Sequence, residues 1–191
     1  MKNTSLKNKQ AGLTLVELGI VVAVSATFIV LGLLIVPKVL ANNRANAEMA
    51  EVTQIITNIQ KTYANANSYQ GATLDAIARL NAFPAERVTI GAPSTAVNRW
   101  GGAVTITVGT LTSANDIIRM VYAAVPEIEC KAVIQGMAHV TRRVYVDNAN
   151  GAVAGGGTLV KGDGALLNIG TLGGATGCGA NLNSITYDIG R

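Results

Sequence analysis

The sequence predicts an α+β chain: a long N-terminal helix, apolar in its first half and amphipathic in its second, followed by a head of antiparallel strands. Three observations carry that reading. Leu18 to Val36 is a run of 19 residues without a charge, and at about 1.5 Å per residue a helix of that length spans roughly 28 Å, close to a bilayer's hydrocarbon core. Val52, Ile56, Ile59 and Tyr63 then fall on one helical stripe, with Glu48, Glu51, Asn58 and Lys61 expected on the polar surface. After Asn67, short β-branched segments alternate with Gly, Asn, Asp and Pro, as strands alternate with turns.

Residues 1–12 form a basic leader, with Lys2, Lys7 and Lys9 and no acid. Residues 13–36 are the apolar stretch. Three lysines before it, against Lys38 after it, orient a spanning helix with its N-terminus cytoplasmic and everything beyond Val36 outside. Pro37 removes one backbone hydrogen bond, but the helical pattern resumes at once, so a kink is expected and the amphipathic continuation covers 37–67; two separate helices are the alternative.

Within the head, 68–191, a short helix is expected around Thr73–Leu80. Strands follow at Ala103–Val108, Ile117–Tyr122 and Val144–Val146. Pro126 to about Ala138 reads as a helix, because proline suits its first turn and Glu127 and Glu129 suit its positive end. From Gly151 the chain is expected to be loop-rich until a last strand at Ser184–Ile189. The head is long enough for one core of ordinary domain size, and no internal repeat is evident.

Composition narrows the function classes. Charged residues make 14% of the 191 and apolar ones 49%, where a soluble domain carries about 25% charged; a disordered polar tail is excluded. The net charge of +4 is mostly the leader's, since the chain without residues 1–12 has 12 basic and 11 acidic side chains. With eight aromatics and no basic patch among them, direct nucleic-acid binding is not expected.

Catalytic chemistry is sparse, and no enzyme activity, metal or cofactor is expected. His139 is the only histidine, so one chain cannot build a multi-histidine metal site, and it reads as a surface or structural residue. Lys161 follows Val160, where a phosphate loop needs glycine. Trp100, Gly101 and Gly102 suggest an anchored turn entering the strand at Ala103, with Trp100 in the core. Cys130 and Cys178 lie 48 positions apart, far from CxxC spacing; in an exported domain one disulfide is the simple reading, and two free buried thiols are the alternative.

The informative residue is Glu17, an acid inside an apolar stretch. Such a charge costs about 2.5 to 3.5 kcal/mol to place in a bilayer on insertion scales, so it points to function unless it snorkels to the interface.

Lys7-Asn8-Lys9-Gln10-Ala11-Gly12 followed by Leu13-Thr14-Leu15-Val16-Glu17 and an unbroken apolar helix resembles the processing site and N-terminal helix of type IV pilins and related pseudopilins. The resemblance implies that a prepilin peptidase cuts between Gly12 and Leu13 and methylates the new amine of Leu13. It also implies that Glu17 serves filament assembly, and that the head is a pilin αβ-roll with the helix packed on an antiparallel sheet. A disulfide near the C-terminus closes a variable region in the family, which Cys130 and Cys178 would match. Asn98-Arg99-Trp100-Gly101-Gly102 is similar to the Asn-x-aromatic-Gly-Gly turn of several pilins and pseudopilins. The first mature residue, the head size and the wide cysteine loop resemble the IVb branch; the short leader and the position of Pro37 depart from IVb and IVa habits respectively.

The implied function is a structural subunit, held in the inner membrane with its head periplasmic and then polymerised with copies of itself into an extracellular helical pilus. An assembly ATPase and an inner-membrane platform protein are the further implied partners. A type II secretion pseudopilin is one alternative. An ordinary secreted binding domain, its signal peptide ending at Val39-Leu40-Ala41, is another.

Overall fold

Helix α1 (Leu15–Thr62) is continuous through Pro37, which settles the choice between one helix and two. The computed structural model describes residues 14–148 and 156–190; the leader, Gly12 and Leu13 lie outside the described residues. The chain divides into two compact units, the first ending at Val39 and the second beginning at Leu40.

Proline 37 lacks the N–H that would bond the carbonyl of Leu33, and the turns on both sides carry the helix across the gap. The C-terminal end comes at Thr62, earlier than the expected Asn67. Ala64 N–H bonds Lys61 O and Ala66 N–H bonds Tyr63 O, short turns that replace the helical ladder. Tyr63, expected on the buried stripe, lies just past the helix, half-buried and edge-on to Tyr69 at 5.5 Å between ring centroids.

Past α1 come α2 (Leu74–Arg79), β1 (Val88–Thr89), β2 (Thr95–Val97), β3 (Ala103–Gly109) and β4 (Ile117–Pro126). After these run α3 (Glu127–Met137), β5 (Arg143–Asp147), β6 (Thr158–Lys161), α4 (Ile169–Gly173) and β7 (Leu182–Gly190). Thr73 caps α2 by accepting the Ala76 N–H, and Pro126 is the N-cap of α3. The strands form one antiparallel sheet among the described residues, ordered β1-β2-β3-β4-β7-β5-β6. β7 enters between β4 and β5, so the C-terminal strand is the keystone of the sheet. Sequence reading missed β1, β2, β6 and α4: each has five residues or fewer, too short for a periodic signal.

The core lies between one face of the sheet and the C-terminal half of α1, from Ala41 to Ile59. Val52, Ile55, Ile56 and Ile59 pack with Val104, Ile106, Ile118, Met120, Val144, Ile185, Tyr187 and Ile189, while α3 adds Cys130, Val133, Ile134 and Met137. Strand alternation explains which residues face in.

The Asn98–Gly102 turn is built from its sequence. Asn98 Oδ1 accepts the N–H groups of Trp100 (3.0 Å) and Gly102 (2.8 Å), and Asn98 Nδ2 donates to Ala123 O at 2.6 Å. Gly101 has φ +78°, and a Cβ on Gly102 would collide with Ala123 O. The turn thereby docks on β4 where its register with β7 shifts between Tyr122 and Val125. Trp100 is half-buried at the core's edge rather than inside it.

Candidate functional site

From Leu15 to Val36 the helix is bare. Leu15 is 89% exposed and Phe28 70%, and an 18-residue window of mean hydropathy 2.8 has no buried share. Each large apolar side chain gains about 1.5 to 3 kcal/mol on full removal from water. A surface of that kind needs lipid or other protein around it.

Glu17 sits in the first turn of this helix. Its Oε2 accepts both the N–H and the hydroxyl of Thr14, each at 2.9 Å, and its own N–H bonds Thr14 Oγ1 at 3.3 Å. This is a capping box: the threonine and the acid three residues on satisfy each other's otherwise unpaired N–H groups. The carboxylate also stands at the positive end of the helix dipole. Thr14 was not singled out from the sequence, although the T-x-x-E spacing was its signal. The cap orients Glu17 at the very start of the apolar segment, where charge is least costly. Gly12 and Leu13, which the resemblance joins to Glu17, lie outside the described residues.

In the head, the Cys130–Cys178 disulfide forms, with Cα atoms 5.9 Å apart. It ties α3 to the loop between α4 and β7, where Cys178 N–H bonds Leu172 O. Its loop of 48 residues corresponds to about 4 kcal/mol of unfolded-chain entropy. Cys130→Ser is expected to lower head stability by about 2 to 5 kcal/mol, read as a shift of the urea midpoint followed by Trp100 fluorescence.

The polar-surface assignment fails at two acids. The Glu51 side chain keeps only 10% of its surface open, paired with Arg87 and Arg99. Glu48, assigned to the polar surface, is 2% exposed, because the buried stripe of α1 runs through Ala45, Glu48, Val52 and Ile55. Arg99 N–H donates to Glu48 Oε2 at 3.3 Å, while the Arg99 guanidinium reaches Glu51 at 2.7 Å and Arg87 reaches Glu51 at 3.1 Å. The two arginines flank the β1–β2 hairpin, so this cluster fastens that edge of the sheet to α1. Desolvation, then repulsion from Glu51, pushes the Glu48 carboxyl above its ordinary value.

A carboxyl raised by folding binds its proton more tightly in the folded chain. Its contribution to stability is present below the unfolded value, about 4.3, and is lost as pH rises through the folded one. Glu48→Gln is therefore expected to gain stability relative to the parent as pH rises from about 4.3, then hold a constant advantage. Paired urea titrations across pH check this; an advantage that shrinks with rising pH contradicts it.

His139 is exposed, as expected. Among the described residues no group of three or more His, Cys, Asp or Glu side chains is placed to hold a metal ion.

A long helix laid over an antiparallel sheet, with a disulfide binding the C-terminal loops, is the pilin architecture, and solved structures share it. The type IV b pilin from Salmonella typhi superposes with a TM-score of 0.55 at 17% identity, covering 76% of this chain and 99% of that one. TcpA, a type IV pilin from Vibrio cholerae El Tor biotype, gives a TM-score of 0.55 at 11% identity, covering 76% and 98%. No curated protein sequence matches the chain. Residues 42–186 match the family description PilS N terminal. The chain therefore belongs to the PilS family, and its fold is the one those two pilins share.

Proposed function

We propose that the chain is a prepilin, cut after Gly12, methylated on Leu13 and polymerised through its N-terminal helix into a surface pilus. The observation that carries this reading is the fully exposed apolar helix from Leu15 to Val36 with Glu17 capped at its start. Lipid covers that helix in the membrane; copies of it replace the lipid in a filament, with van der Waals packing between helices as the driving term. Repetition of one heterologous contact produces a helical polymer, because its rotation does not close a ring. Gly-rich loops of the head can then vary without disturbing the spine.

Glu17 and the amine of Leu13 are the charges this mechanism pairs. Inside an apolar bundle a lone carboxylate is costly, and the new amine is the nearest cation by sequence. Pairing with a neighbour's amine fixes the axial step of the incoming subunit.

The signal-peptide alternative requires a cut after Ala41, which is buried and inside α1; this favours the prepilin reading. N-terminal sequencing of the chain from fractionated membranes tests it. Leu13 as first residue supports the proposal, and Asn42 overturns it.

A further inference from the structure

The sheet face turned away from α1 carries side chains that the proposed pairing of Glu17 with the Leu13 amine does not involve. Strand registers place Thr107 of β3, Arg119 of β4, Asp188 of β7 and Arg143 of β5 in one row across four strands. Their chain neighbours Ile106, Ile118, Tyr187 and Val144 point into the core, so alternation sends the row to the opposite face. Asp188 is fully buried, while the two arginine side chains each keep 21% of their surface open.

Arg119 Nε and Nη2 donate to Asp188 Oδ1 and Oδ2 at 2.8 and 3.0 Å, and Arg143 Nε and Nη2 reach Oδ2 at 2.9 and 2.8 Å. A buried carboxylate needs one guanidinium to balance its charge, and this one has two. The row therefore holds a surplus positive charge. Each guanidinium has five N–H donors in a fixed fork, and Asp188 engages at most two nitrogens of each, so both retain donors for a second oxyanion. Beside this centre lies a second row, Thr105, Val121, Thr186 and Tyr145, with the Arg143 guanidinium 5.8 Å from the Tyr145 ring centroid.

Hydroxyls at half-buried Thr105 and exposed Thr107, an aromatic ring, and a doubled arginine fork match three features of an acidic sugar: its hydroxyls, its apolar ring face and its carboxylate. We propose that this face binds a carboxylate-bearing saccharide, Arg119 and Arg143 gripping the carboxylate while Asp188 holds both guanidiniums in place. With strands about 4.8 Å apart, the row extends roughly 14 Å, which suits a chain of sugars laid across the sheet. The site lies within one chain's sheet, so binding is read on unassembled chain, apart from the test of processing at Gly12.

The test uses the full chain in detergent with immobilised polygalacturonate as probe and dextran as the neutral control. The parent is expected to bind polygalacturonate at least about tenfold more tightly than dextran. Arg143→Gln is expected to remove about tenfold of that affinity, with an unchanged melting temperature because Arg119 still pairs Asp188. Arg79→Gln, which removes a charge paired with Asp75 on α2 and away from the row, is expected to stay within about twofold. Thr107→Glu places a carboxylate beside Arg119 without removing any bond of the row, and it decides the matter if Arg143→Gln fails to fold: a loss of about tenfold supports the site and unchanged binding overturns it. No preference over dextran, or an equal loss in Arg79→Gln, also overturns it. So does displacement by glycerol phosphate at concentrations where free galacturonate has no effect, which would assign the anion to a phosphate or lipid headgroup.

Discussion

Glu17→Leu is expected to leave a chain that inserts, is cut after Gly12 and keeps a folded, disulfide-bonded head, yet gives few or no sheared filaments. Removing the acid takes away a cost of about 2.5 to 3.5 kcal/mol on insertion scales, so membrane storage is equal or better. The capping box with Thr14 is also lost, worth about 1 kcal/mol at the first turn of the helix. In the proposed mechanism, what disappears is the charge that an incoming subunit would read. Apolar helices slide past one another with little change in energy, whereas a buried ion pair has one acceptable register. Membrane fractionation and quantified sheared filaments from the same cultures separate the two effects. Parental filament yield with normal processing would show that Glu17 is not the assembly determinant.

The second large effect is expected from Gly12→Val, which should leave uncut precursor in the inner membrane. A glycine before the cut lets an enzyme approach the backbone at the membrane edge; a β-branched side chain blocks that approach. Without the cut, Leu13 has no free amine, so filament yield falls as in Glu17→Leu while the precursor keeps its leader. An immunoblot resolving the two lengths distinguishes these causes. Normal processing of Gly12→Val contradicts the account.

Much of the fold was legible because its long elements repeat a local pattern. The apolar run ending at Val36 and the stripe Val52, Ile56, Ile59 predicted α1, and the β-branched segments predicted β3, β4, β5 and β7. Short pieces such as β1 and α4 obey tertiary contacts instead: Asn168 caps α4 through Thr171 N–H and also bonds Val160 O, and no local window shows that. Glu48 was misplaced for the same reason. An acid at a core position is invisible until Arg99, distant in sequence, is seen beside it. Asp188 is the sharper case, since its two arginines come from other strands.

At the N-terminus the limits differ. Glu17 stood out because charge is rare in apolar surroundings, but its bond to Thr14 required geometry. Cys130 and Cys178 were pairable from compartment alone, whereas the anchoring of their loop by the Leu172 carbonyl was not.

The intact mass of protein sheared from cells tests the central claim most directly, because it reports surface filaments, the processed end and the disulfide together. The account predicts a chain that begins at Leu13, carries one added methyl group and lacks two hydrogens at Cys130 and Cys178. A mass beginning at Asn42, or the full chain from Met1, would contradict it.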